Sequence, residues 1–157
     1  MRGEKAARWL ALLTPALLLA GAYISQYGFG LPPCEMCWWQ RYAHFAALAL
    51  GFLAFVIPNR VLVWLAAVAI ALAGLIGGFH AGVEYGWWQG VTACTASPFA
   101  SGQDPLAAIL AAPVIRCDVA PWSLFGISLA GWNFLFSIAA ALAIGLLLTR
   151  GRRVADG

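Results

Sequence analysis

Val61-Leu62-Val63-Trp64-Leu65-Ala66-Ala67-Val68-Ala69-Ile70-Ala71-Leu72-Ala73-Gly74-Leu75-Ile76-Gly77-Gly78-Phe79-His80-Ala81-Gly82 runs without one aspartate, glutamate, lysine or arginine. Wound as a helix at about 1.5 Å per residue, such a run crosses the roughly 30 Å hydrocarbon core of a bilayer. The whole chain shares that solvent. With 63% hydrophobic residues, 10% charged residues and a mean hydropathy of +0.84, its 157 residues carry too little polar surface to cover a water-soluble core. The chain reads as a single integral membrane domain, residues 1–157.

Working outward, Pro58-Asn59-Arg60 is a tight polar connection to a preceding span over 37–57. The Gly- and Pro-rich stretch 28–36 separates that span from the first, over 9–27, where Pro15 is tolerable because neighbouring helices and local adjustments re-satisfy the freed backbone. A basic start, an apolar core and the small residues Ala20-Gly21-Ala22 also make up a secretory signal. The apolar run is longer than a signal core and further spans follow, so it is read as a span. Beyond Gly82, residues 83–123 break the pattern with Pro98, Pro105, Pro113 and Pro121, and form the one large extramembrane loop. A fourth span follows over 124–148. Inside the loop, Pro105 to Pro113 is apolar but too short to span, and is expected to lie on the bilayer surface. The expected fold is an all-α membrane protein: a four-transmembrane-helix bundle with one large loop carrying a short interfacial helix. Gly74, Gly78 and Gly82 form a small-residue stripe that lets a neighbouring helix approach.

Seven of the nine basic residues, Arg2, Lys5, Arg8, Arg60, Arg150, Arg152 and Arg153, fall on one side of this arrangement. The positive-inside rule then places both termini in the cytoplasm. Trp9 and Trp64 mark that interface, and Trp38, Trp39, Trp87, Trp88 and Trp122 mark the other. The net charge of +3 is thereby explained by helix ends, and no basic patch interleaved with aromatics points to nucleic acid.

All four cysteines, Cys34, Cys37, Cys94 and Cys117, fall on the non-cytoplasmic side, where disulfides persist. Cys34-Glu35-Met36-Cys37 is a CxxC at a helix start, a poor staple and a good exchange centre. The natural pairing is Cys34 with Cys37 and Cys94 with Cys117, among three that four cysteines permit. As a plain staple, Cys94–Cys117 would be worth roughly 3 kcal/mol. A zinc site would need more His or Cys than this face supplies, so no metal is expected. Arg41 follows Cys37 by one turn, about 6 Å along the axis, and an arginine inside a span is costly enough to need a reason. It would stabilise a Cys37 thiolate or an anion developing on a bound acceptor, unless it snorkels to the interface. His44, one turn deeper on the same face, would relay protons, bind a ligand or simply satisfy a neighbouring helix. His80 and Glu84 make another i, i+4 pair, in which Glu84 would balance Arg41.

Four spans, a CxxC followed by an arginine at the head of the second, and two loop cysteines before the fourth resemble the disulfide bond formation protein B (DsbB) family of bacterial inner-membrane thiol oxidases. The resemblance covers the whole chain. It implies a quinone-dependent protein-disulfide oxidoreductase that reoxidises a periplasmic thioredoxin-fold oxidase, DsbA, and passes the electrons to a membrane quinone, ubiquinone or menaquinone. It further implies that Cys94 forms the mixed disulfide with DsbA, that Cys117 is its partner, that Cys34 exchanges with the loop pair, and that Cys37 delivers electrons to quinone beside Arg41. His44, from its place on the same helix face, is a further candidate quinone contact. Two departures stand out. The family often has a histidine near the loop end of the third span, where this chain reads Glu84-Tyr85-Gly86-Trp87-Trp88, with His80 the nearest substitute. Ser97-Pro98-Phe99-Ala100 follows Cys94, where some relatives have a similar stretch before it. Enzymes of the vitamin K epoxide reductase type also join disulfides to quinones, but their CxxC belongs to a late span. A relative dedicated to one thiol partner shares every motif, and a non-enzymatic scaffold with two structural disulfides would keep its activity after Cys37→Ser.

Overall fold

The computed structural model describes residues 2–92 and 115–153. Among the described residues there are four helices, α1 (Arg2–Gly28), α2 (Glu35–Val56), α3 (Arg60–Glu84) and α4 (Leu129–Arg153), with a two-stranded hairpin, β1 (Ser123–Leu124) and β2 (Ile127–Ser128), before α4. Each start has a local cause. Cys34 caps α2, and Asn59 caps α3 by accepting a 2.8 Å hydrogen bond from the Val61 amide. The expected fourth span begins later than Leu124. Phe125 and Gly126, both at positive φ, make a two-residue turn that pairs Leu124 with Ile127. Ser128 Oγ then accepts from the Gly131 amide at 3.1 Å and caps α4. The Tyr85 hydroxyl fixes the hairpin to the end of α3, donating to the Gly126 carbonyl and accepting from the Ser128 amide, both at 3.0 Å.

The helices form a ring in which α2 and α4 flank α3, α1 closes the circle between them, and α1 and α3 face each other diagonally. Helices α1, α3 and α4 are long and apolar enough to cross a membrane. The fourth, α2, is 22 residues long and falls outside that set; its first half carries Gln40, Arg41 and His44. All three are buried in the bundle, so the polarity of α2 faces inward while Phe45, Phe52 and Phe55 face outward. That is the side-chain distribution of a helix whose outside is lipid and whose inside is a site.

Two buried clusters result. One is built mainly of small residues, Ala7, Ala11, Ala47, Ala54, Ala66 and Ala67, closed by Val63, Ile70, Ile144 and Leu148. Alanines let the helices come close, since dispersion between backbones is what holds helices together where lipid is as apolar as the core. The second cluster sits at the α2 start and contains Cys34, Met36, Val83 and Cys117, with Cys37 and Phe79 against it. On α3, Gly74 and Gly78 do face a neighbour, lying against Ser137, Ile138 and Phe134 of α4, whereas Gly82 makes room for the Trp88 indole folded back over the helix. The tightest approach to the site is at Gly77, which the glycine stripe omitted. A Cβ there would stand 2.9 Å from both the Ala130 carbonyl and Asn133 Nδ2. Gly77→Val is expected to lower stability by roughly 1–3 kcal/mol, read as an earlier thermal melt in detergent.

Candidate functional site

The site begins with the turn that starts α2. Cys34 has extended backbone (φ −78°, ψ 175°), and its sulfur accepts a 3.3 Å hydrogen bond from the Cys37 amide, one of the amides a helix start leaves without a partner. Both cysteines are free thiols here, and Cys34 donates to Cys37 Sγ at 2.9 Å. That bond, then burial, pushes the Cys34 thiol well above the usual thiol range, so Cys34 keeps its proton. Cys117 is fully buried in the same cluster and is disulfide-bonded. Cys94, its expected partner, and the Pro105–Pro113 segment lie outside the described residues.

His80 closes the cluster from α3. Its Nε2 lies 3.5 Å from Cys34 Sγ and 3.7 Å from Glu84 Oε1, with His80 and Glu84 side chains only 3% and 2% exposed. Glu84 therefore sits with His80, and the expected balance between Glu84 and Arg41 is corrected. Arg41 turns towards α1, where it donates to Gln26 Oε1 at 2.6 Å and to the Ala22 carbonyl at 3.2 Å. Its guanidinium lies 4.8 Å from the Tyr23 ring centre and 5.0 Å from that of Trp38. Among the described residues no acidic partner accounts for it, and it does not snorkel: the cation is held buried by neutral oxygens and aromatic faces.

Between these groups runs a chain of side-chain amides whose polarity is fixed at both ends by carbonyls. Asn133 Nδ2 donates to the Ala73 carbonyl at 3.1 Å and to Gln40 Oε1 at 2.8 Å. Gln40 Nε2 donates to the Met36 carbonyl at 3.1 Å and faces His80 Nδ1 at 3.0 Å. A carbonyl can only accept, so each amide nitrogen must stand where it does, and His80 Nδ1 must accept. The proton of the neutral ring is then on Nε2, facing the sulfurs. This decides how the cluster of Cys34, Cys37 and His80 reads, whose three ligand atoms lie within 4.8 Å of one another. A metal would need the Nε2 lone pair, and hence Gln40 turned over against two carbonyl partners. As built, the ring offers sulfur a proton.

Cys37, Gln40, Arg41, His44, His80 and Glu84 line one end of a cavity of about 250 Å³, which Leu18, Ala22, Leu129 and Phe136 continue as an apolar wall. Three of its lining residues each carry a buried polar atom that has no hydrogen-bond partner among the described residues: His44 Nδ1, Trp132 Nε1 and Glu84 Oε2. Such atoms are costly when nothing meets them. An apolar slot ending in unpartnered polar atoms beside a dithiol fits a flat, lipid-soluble ring with polar edges. The structure thus brings Cys37, Arg41 and His44 to one cavity, with Cys34 and Cys117 packed in the cluster behind Cys37. Sequence reasoning did not find Gln26, Gln40, Trp132 and Asn133. Gln40 and Asn133 carried a signal, being amides inside apolar runs, but their pairing joins residues far apart in the chain.

A multi-helix membrane protein with a CxxC dithiol beside a largely apolar cavity is, by class, a membrane thiol oxidoreductase. The family model for disulfide bond formation protein DsbB matches residues 4–147, and the chain belongs to that family of disulfide-generating membrane proteins. It is 34% identical over 157 residues to disulfide bond formation protein B of Verminephrobacter eiseniae, covering 92% of this chain and 85% of the relative. The protein of that name from Pasteurella multocida is 28% identical, with 91% and 85% covered, and that from Actinobacillus pleuropneumoniae 30% identical, with 92% and 87% covered. No solved structure matches this chain significantly.

Proposed function

We propose that this protein reoxidises a periplasmic thioredoxin-fold oxidase of the DsbA kind and transfers the electrons to a membrane quinone, ubiquinone or menaquinone. The observation that carries the reading is the cavity. Cys37 shares it with Arg41 and His44, while Cys34 sits in the cluster that also buries Cys117. In this reading, four spans place both termini in the cytoplasm and all four cysteines on the periplasmic side. Cys94 and Cys117 form the disulfide that exchanges with the soluble dithiol. The Cys34–Cys37 disulfide then reoxidises the loop pair, and Cys37 faces the quinone beside Arg41 and His44.

Two thiols oxidised to one disulfide release two electrons and two protons, and a bound quinone accepts both. This chain's residues do the rest. Cys34 holds its proton and hands it on as the S–S bond forms, His80 keeps an N–H on the sulfurs, and the apolar wall excludes water. Arg41 supplies the fixed positive charge that an oxygen gaining electrons requires. Purified protein, a reduced DsbA-like partner and a short-chain ubiquinone analogue provide the test, with quinone absorbance followed over time. Catalytic loss of the quinone band, one equivalent per dithiol oxidised, is expected. Oxidation of the partner without quinone consumption would overturn the reading.

A further inference from the structure

The amide chain that fixes His80 also fixes His44, at the other end of the same asparagine. Asn133 Oδ1 lies 2.8 Å from His44 Nε2 and also accepts from Ser137 Oγ at 3.0 Å. Asn133 Nδ2 is committed to the Ala73 carbonyl and to Gln40, so Oδ1 is the acceptor and His44 Nε2 carries the hydrogen. His44 Nδ1 is therefore a bare lone pair. This nitrogen is buried and has no partner among the described residues, on a side chain that lines the cavity. Trp132 Nε1 is its opposite, an N–H that only donates, equally buried and equally without a partner among the described residues, on another side chain that lines the cavity.

We propose that Trp132 and His44 are the head-group contacts of this cavity, Trp132 donating to a carbonyl oxygen and His44 accepting from a hydroxyl, with Asn133 and Gln40 as the positioning residues that hold His44 in the accepting form. The proposal rests on the quinone reading above and says which redox form the cavity prefers. An oxidised head group has carbonyls only and can satisfy Trp132 but offers nothing to His44. A reduced head group has hydroxyls and can satisfy both. The cavity therefore binds quinol more tightly than quinone, and that difference favours electron flow out of the dithiol. A histidine free to change tautomer would lose this selectivity, because its Nδ1–H would serve a carbonyl as well. The Ala73 carbonyl on α3 sets the polarity of Asn133 and so of His44, and the Met36 carbonyl on α2 sets that of Gln40 and so of His80.

The test uses full-length protein in nanodiscs with histidine labelled by nitrogen-15, and a short-chain ubiquinone analogue in its oxidised and, without oxygen, reduced forms. In the wild type, both histidines are expected to show the proton on Nε2, and the His44 Nδ1 resonance moves with quinol but not with quinone. Removing one neutral hydrogen bond in His44→Phe lowers quinol affinity about fivefold and leaves quinone affinity unchanged. Trp132→Phe lowers both. Gln40→Glu places an acceptor against His80 Nδ1, and the His80 proton is expected to move to that nitrogen while His44 keeps its form. A wild-type His44 with its proton on Nδ1, or equal losses of quinone and quinol affinity in His44→Phe, would overturn this proposal and leave the quinone reading standing. Binding of neither form by the wild type would overturn both.

Discussion

Replacement of Cys37 by alanine is expected to reduce quinone consumption to the rate without protein, in the presence of any amount of reduced partner. Among the described residues Cys37 is the one sulfur on the cavity lining, whereas Cys34 lies behind it as the helix cap. Removing it leaves the Cys34 thiol without the sulfur it must join, so no two-electron product exists. The fold should survive, because the Cys34 cap uses the Cys37 backbone amide and that amide remains. Far-ultraviolet circular dichroism and the thermal melt are therefore expected to match the wild type within about 1 kcal/mol. Cys117→Ala should behave differently, losing turnover with the protein partner while a small dithiol that reaches Cys34–Cys37 still supports quinone reduction. Equal retention of quinone reduction in Cys37→Ala would leave a scaffold with structural disulfides as the better description.

The second large effect is expected at Arg41. Hydrogen bonds to a charged group are worth about 1.5–3 kcal/mol, which converts to roughly 10- to 100-fold in affinity or rate. Arg41→Ala should raise the quinone KM by that range with little change in the KM for the thiol partner. The same side chain ties α2 to α1 through Gln26 and the Ala22 carbonyl, so loss of packing is a competing cause. Gln26→Ala separates the two. It removes the shorter anchor and keeps the cation, and is expected to shift the quinone KM by less than Arg41→Ala while producing a similar fall in thermal stability. Arg41→Lys should rescue only in part, since an ammonium keeps the charge but cannot hold two oxygens of α1 in one plane.

Much of the architecture was legible because lipid imposes a simple grammar. A run such as 61–82 with no charge admits few readings, and the CxxC announces its chemistry through spacing alone. The start of α4 was not legible. Ser123 to Ser128 is apolar enough to pass for span, and its hairpin depends on Phe125 adopting a positive φ, which few non-glycine residues do. The pairing of Glu84 was misread for another reason. Helical spacing placed it beside His80, and charge alone invited a link to Arg41, yet the Arg41 side chain reaches α1 instead. The polarity of His44 and His80 lies beyond any one-dimensional reading. It is set by Asn133 and Gln40, residues on α4 and α2 whose meeting requires Gly77 of α3 to have no side chain. Trp132 was one tryptophan among eight, and only the burial of its N–H on a side chain that lines the cavity distinguishes it.

The central claim is that the Cys34–Cys37 dithiol passes its electrons directly to an acceptor in the adjoining cavity. The most direct measurement is a single turnover without oxygen, using the reduced Cys94→Ala, Cys117→Ala double variant, in which no other cysteine remains, mixed with excess short-chain ubiquinone. The account predicts one quinol formed per protein and the simultaneous loss of two alkylatable thiols. Quinone that stays oxidised while both thiols remain free would contradict it.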